Sequence, residues 1–150
     1  SIGTYSEIMN WDYPSPFTWR VNVESSAIDA LGHVNNKAYL EWIMEAAWAH
    51  SGELGLRIDD YTRLGFAFVA RRHELNYLAP TFLHDRLIVG TWIVTNDGKF
   101  RSRREYQIIR ENDGKTVFRG STDWVCIRLD TGKPSVMPAE FIQAYQPTNV

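Results

Sequence analysis

The first periodic segment of the chain, residues 17–26, alternates apolar and polar side chains. Its apolar residues occupy the odd positions from Phe17 to Val23, and its polar residues occupy the even positions between them. Because successive side chains of a β-strand point to opposite faces, this period of two predicts a strand with one buried face. Residues 1–16 contain two prolines and show no sustained period, so we expect an N-terminal lead-in segment there.

A second pattern, from Asn36 to His50, is mostly apolar and has the period of a helix. Its polar exceptions, which recur every four positions on one narrow stripe, are Lys37, Glu41 and Glu45. The pattern predicts a largely buried helix, with Asn35 or Asn36 as its N-cap and Gly52 near its C-terminal end.

Four later segments are rich in β-branched and aromatic residues, which favour strands. They cover residues 66–78, 86–95, 99–110 and 116–129. The turn sequences Asn96-Asp97-Gly98 and Asn112-Asp113-Gly114 separate the last three segments and predict tight antiparallel hairpins, because glycine tolerates a positive φ. The order of one strand, one helix and four strands predicts an α+β fold, followed by a C-terminal tail over residues 139–150.

A helix that is apolar on most sides must be covered by a curled sheet or by a second chain, so we expect a homodimer or homotetramer.

The net charge of −2 over 150 residues argues against electrostatic binding of nucleic acid, and no apolar run is long enough for a membrane span. The single cysteine, Cys126, excludes an intrachain disulfide and indicates a cytoplasmic protein. The histidines lack metal-ligand spacing, and no glycine-rich phosphate loop is present, so we expect neither a metal nor a cofactor.

Reactive side chains are densest in the loop that precedes the predicted helix. Between Asp29 and Asn36 the loop carries a carboxylate, an imidazole and two amides. The free amides and the positive dipole end of a helix N-terminus suit a developing oxyanion. This loop is therefore the candidate catalytic segment.

Residues 29–40, with the sequence DALGHVNNKAYL, closely resemble the signature of hotdog-fold acyl thioesterases of the 4-hydroxybenzoyl-CoA thioesterase type. The segment from Tyr77 to Pro80, followed by Asp85, resembles the second block of that family. The resemblance implies a hotdog domain over residues 17–138, in which a five- or six-stranded antiparallel sheet wraps around a central helix. It also implies hydrolysis of acyl-CoA or acyl carrier protein thioesters to a free acid and a thiol.

The resemblance also assigns roles to residues. Asp29 falls at the position of the family's catalytic carboxylate, which acts as a nucleophile or as a general base on water, and Asn36 falls where a backbone N–H polarises the thioester carbonyl. His33 is the third catalytic candidate, since an imidazole donates or accepts a proton near neutrality. The candidate substrate-binding residues are Gly32, Asn35, Tyr39, Arg101 and Arg103. The two arginines are candidates for binding the phosphates of coenzyme A.

Other interpretations remain open from the sequence. In one alternative, Asp29 has no catalytic role and only stabilises a turn, and His33 only holds the loop in place. In another, Glu41 or Glu45 supplies the catalytic carboxylate. A non-catalytic acyl-CoA-binding module would use the same pocket without consuming the thioester. A hotdog hydratase or dehydratase is a third alternative, although the spacing from Asp29 to His33 does not match that group.

Overall fold

The computed structural model describes residues 9–148 of the chain. Its elements in chain order are β1 (Phe17–Asn22), a 3-10 turn (Ser25–Ala27), α1 (Asn36–Glu53), α2 (Ile58–Leu64), β2 (Phe66–Tyr77), β3 (Arg86–Asn96), β4 (Arg101–Arg110), β5 (Thr116–Arg128) and α3 (Ala139–Ala144). The predicted helix and all five predicted strands are present. The short helices α2 and α3 were not predicted, because a helix of two turns or fewer carries too few residues to establish a period.

The strands form one five-stranded sheet in the order β1-β3-β4-β5-β2, and all neighbouring strands are antiparallel. The two predicted hairpins connect β3 to β4 and β4 to β5. Their glycines, Gly98 and Gly114, have φ values of 68° and 69°, which explains the need for glycine at these turns. The predicted α+β class with an antiparallel sheet is confirmed.

Helix α1 packs across one face of the sheet and forms the main core with it. Ile43 and Ala46 are completely buried in the helix, and they belong to one cluster with Val89 of β3 and Ile108 of β4. The stripe that contains Glu41 remains exposed. The prediction of a largely buried helix with one polar stripe is therefore confirmed.

The segment predicted as a C-terminal tail contributes to a second core cluster. Phe141 of α3 is completely buried and stacks on Phe68 of β2 with 5.2 Å between ring centroids. Tyr145, one helical turn later, is also buried in this cluster, which lies near the C-terminal half of α1. The described part of the segment, residues 139–148, is thus packed onto the domain; residues 149 and 150 lie outside the described part.

The described part of the lead-in, residues 9–16, lies against the other face of the sheet. The ring of Trp11 rests on Gly90, where an added Cβ atom would come within 2.5 Å of it. The backbone N–H of Asp12 donates to the side chain of Gln107 on β4 at 2.8 Å. No helix within the described residues is both long and apolar enough to cross a membrane.

Candidate active site

The loop that carries Asp29 closes on itself through its own backbone. The Asp29 carboxylate accepts hydrogen bonds at Oδ1 from the N–H groups of Leu31 at 2.9 Å and His33 at 3.0 Å. The Asp29 N–H donates to the His33 carbonyl at 2.7 Å, and Gly32 supplies the required positive φ of 78°. The carboxylate therefore stabilises the turn through one oxygen and is exposed to solvent.

The N-terminus of α1 follows directly, and one of its amides has no acceptor among residues 9–148. Asn35 is the N-cap, since its Oδ1 accepts the N–H of Lys37 at 2.9 Å and its carbonyl accepts the N–H of Ala38. Among the described residues, none accepts a hydrogen bond from the N–H of Asn36. This exposed donor lies at the positive end of an 18-residue helix, which favours a negative charge nearby.

A cavity of about 290 Å³ opens beside this helix terminus. Of the predicted site residues, His33, Asn36 and Tyr39 line it, and the segment from Tyr77 to Phe82 forms the remaining wall. Asp29 is not among the lining residues, although its carboxylate is bonded to the N–H of His33. The cavity therefore brings together the helix terminus and the His33 end of the candidate catalytic loop.

Tyr39 forms the buried floor of this cavity. Its hydroxyl lies 2.7 Å from Oγ1 of Thr81, and its ring stacks on Phe118 with 5.6 Å between centroids. Burial raises the pKa of the Tyr39 hydroxyl, so the group is neutral at physiological pH. Tyr77 closes the side wall by donating to the Asn36 carbonyl at 3.4 Å.

The wall from Tyr77 to Phe82 was not predicted as part of the site, although its first four residues carry the second family-like block. Arg110 of β4 holds this wall in place by donating to the Pro80 carbonyl at 2.8 Å. Its guanidinium is also paired with Asp113 at 2.9 Å, and this hydrogen bond raises the pKa of Arg110. Arg110 is therefore a positioning residue for the cavity wall.

The structure does not bring the predicted phosphate-binding arginines to this cavity within one chain. Phe118, which meets Tyr39, pairs with Ile108 of β4, and Arg103 lies five residues earlier on that strand, about 17 Å away at 3.4 Å per residue. Arg101 lies farther still. The Arg103 guanidinium instead bonds Asp123 at 3.0 Å. Strand register, which the sequence alone does not specify, separates these arginines from the helix terminus.

The alternative carboxylates on α1 also lie elsewhere. Glu41 and Glu45 line a separate groove of about 480 Å³ between α1 and β1, together with Asn35. Burial and, to a smaller extent, the neighbouring Glu41 raise the pKa of Glu45. Neither glutamate lines the cavity beside His33.

Comparison with known proteins identifies the family of the chain. The sequence profile of the thioesterase-like superfamily matches residues 23–145. The chain belongs to this superfamily. Long-chain acyl-CoA thioesterase FadM of Escherichia coli K12 is 30% identical over 125 residues, which cover 81% of this chain and 90% of FadM.

Solved structures show the same fold. Slr0204, a 1,4-dihydroxy-2-naphthoyl-CoA thioesterase from Synechocystis, is 24% identical with a TM-score of 0.78, and the match covers 87% of this chain and 96% of Slr0204. SAV2348 from Staphylococcus aureus, solved in complex with CoA, is 20% identical with a TM-score of 0.81 and covers 94% and 92% of the two chains. The expected hotdog fold and the expected thioesterase activity, hydrolysis of a thioester, are confirmed.

Proposed function

We propose that this superfamily member hydrolyses acyl-CoA thioesters in the cavity beside the N-terminus of α1. The observation that carries the proposal is the Asn36 N–H, which has no acceptor among the described residues and lies at the cavity. The name of the FadM relative and the CoA bound to SAV2348 support coenzyme A rather than a carrier protein as the thiol part.

In the proposed reaction the thioester carbonyl oxygen accepts a hydrogen bond from the Asn36 N–H. Acting as a general base, Asp29 takes a proton from water, whose oxygen attacks the carbonyl carbon and gives a tetrahedral oxyanion held by that N–H. The intermediate then expels the thiolate of coenzyme A, which takes the proton from Asp29. Because a thiol has a pKa of about 8.5, it leaves without strong acid assistance.

Asp29 could also act as a nucleophile, in which case its carboxylate attacks the carbonyl carbon and water hydrolyses the resulting anhydride. A single turnover in H₂¹⁸O distinguishes the two roles. A general base places the label in the released acid, whereas attack of water on the aspartyl carbonyl of an anhydride leaves the label in Asp29. Mass spectrometry of the Asp29 peptide measures this difference.

Asp29→Asn tests the proposal most directly. An asparagine keeps the Oδ1 acceptor for the N–H groups of Leu31 and His33, so the turn should survive while the charge is lost. We expect kcat/KM, measured by thiol release, to fall by a factor of about 10³ with an unchanged unfolding temperature.

The matched control is Asp97→Asn. Asp97 stabilises the β3–β4 turn in the same way, since its Oδ1 accepts three backbone N–H groups, but it does not line the cavity. This variant should retain full activity. Activity of Asp29→Asn at the level of the control would remove Asp29 from the mechanism, and loss of activity in Asn36→Pro, which deletes the amide, would support the oxyanion role.

We further propose a homo-oligomer in the cytoplasm. Leu31 and Phe82, near the candidate active site, are large exposed apolar side chains, which a second copy of the chain would cover. Cys126 is a buried free thiol, as is typical of proteins from a reducing compartment. Light scattering gives the mass that separates dimer from tetramer, and a monomer would contradict the proposal.

A further inference from the structure

A second cavity lies at the opposite end of α1 from the candidate active site. Its volume is about 30 Å³, and its walls include Ser51 of α1, Tyr61 of α2, Arg104 of β4 and Trp124 of β5. Ser51 follows Asn36 by fifteen residues, or about 22 Å along the helix at 1.5 Å per residue. Among the described residues the two cavities share no lining side chain.

Arg104 is the unusual member of this second cavity, because it is a buried cation that pairs with no carboxylate of residues 9–148. Only 4% of the residue is exposed. Its Nη1 donates to Nδ1 of His50 at 2.8 Å and to Oγ1 of Thr91 at 3.2 Å. No carboxylate of the described residues forms an ion pair with it, and burial lowers the pKa of His50 to about 4, so that ring is neutral.

The opposite edge of the guanidinium is open. Neither Nε nor Nη2 has an acceptor among the described residues. Every side-chain nitrogen of the described residues that is fully buried does have a hydrogen-bond partner, so these two atoms are not fully buried. Each of the two atoms therefore keeps some accessible surface, and the cavity is a space that Arg104 lines. The Nε–Nη2 edge presents two parallel N–H groups, which is the geometry that binds both oxygens of a carboxylate.

An unpaired buried charge is costly, because a guanidinium removed from water needs compensation by a counter-charge. A carboxylate in the cavity would supply it. The volume accommodates a group of that size but not a long chain, since one water needs about 10–15 Å³ by the same measure. The rest of such a molecule would extend past Trp48, which lines the cavity and is 40% exposed.

We propose that this cavity is a second binding site, for the carboxylate of a short free carboxylic acid, with the Nε–Nη2 edge of Arg104 as its anchor. The proposal does not depend on the proposed function, because the site lies apart from Asp29 and Asn36. The expected ligand is a carboxylic acid with a short, unbranched aliphatic chain. Binding would neutralise Arg104 and stabilise the second core cluster.

The test uses butyrate as the probe, with 1-butanol as its neutral analogue and sodium chloride at equal ionic strength. Butyrate should raise the unfolding temperature of the wild-type protein by several degrees and shift the indole NMR signals of Trp48 and Trp124. Butanol and chloride should do neither. Asp29→Asn should respond to butyrate as the wild type does, which separates this site from the candidate active site.

Arg104→Met should weaken butyrate binding at least tenfold while its unfolding temperature without butyrate stays equal or rises. Arg72→Gln, which removes an exposed cation from β2, is the matched control and should bind as the wild type does. If Arg104→Met does not fold, Arg104→Lys serves instead, because it keeps the buried charge but lacks the two parallel N–H groups of the guanidinium. This variant should bind butyrate at least tenfold more weakly than the wild type. An equal response to butanol or chloride, wild-type binding by these Arg104 variants, or no binding at all would overturn the proposal.

Discussion

At the residue scale, single side chains in this protein meet structural and chemical demands together. Asp29 holds a turn with one oxygen, and we propose the same carboxylate as the general base of thioester hydrolysis. Both interpretations drawn from the sequence, a turn residue and a catalytic acid, are therefore compatible in one group. His50 is a second example, because its neutral ring supports Arg104 and stacks on Phe17 with 4.9 Å between centroids.

The neutrality of His50 predicts how stability depends on pH. Burial, with a smaller contribution from Arg104, lowers the pKa of His50 from its ordinary value of 6.5 to about 4. Between these values the unfolded chain binds a proton that the folded chain does not, so the free energy of unfolding falls as the pH falls from about 6.5 to 4. The loss from this residue is about 3 kcal/mol at the bottom of the window.

Urea unfolding of the wild type and of His50→Gln at pH 7 and pH 4.5 measures this effect. Glutamine can still accept the hydrogen bond from Arg104 but does not titrate, so the variant should lose about 2–3 kcal/mol less stability than the wild type on acidification. Other titrating groups contribute equally to both proteins. Identical pH dependence in the two would mean that His50 is not neutral in the folded state.

At the scale of elements, the N-terminus of α1 is where fold and function meet. The cap provided by Asn35 satisfies two amides, and the N–H of Asn36, at the cavity, has no acceptor in the described part of the chain. The helix must begin at this residue for the free donor to lie beside His33. Capping therefore determines which amide is available as well as how stable the helix is.

Asn35→Ala should lower the free energy of unfolding by about 1 kcal/mol, because the N–H of Lys37 loses its acceptor. Asn35→Ser should recover most of that stability, since serine is an equally good N-cap. Chemical denaturation measures stability, and thiol-release kinetics measure KM. If Asn35→Ser restores stability and has the KM of the wild type, Asn35 acts as a cap. If stability is restored but KM stays above that of the wild type, the result supports the predicted substrate contact.

At the scale of the whole molecule, two core clusters lie on the α1 side of the sheet. The first joins α1 to β1, β3 and β4. The second joins α2, α3 and the start of β2, and it is closed by residues that follow the hotdog segment predicted from the sequence. The stability of the domain therefore depends on residues beyond 138.

Phe141→Ala should lower the free energy of unfolding by about 3–5 kcal/mol, because it removes a completely buried ring that stacks on Phe68. Ile142→Ala is the adjacent control; that side chain is 37% exposed, so its replacement should cost much less. Urea unfolding curves of the two variants provide the comparison. Equal losses would contradict the view that α3 closes the second core.

Local sequence patterns predicted the strands, the two tight hairpins, the buried helix with a cap at Asn35 or Asn36, and the family motif in residues 29–36. These features depend on periodicity and turn chemistry among residues close together in the chain, and such patterns can be read directly from the amino-acid sequence. The rest depends on strand order and register, which place the Tyr77–Phe82 wall against α1 and keep Arg103 away from the cavity. They also bury Arg104 where no carboxylate of the described residues pairs with it. Contacts between residues far apart in the chain have no local pattern, so only the tertiary structure could determine them.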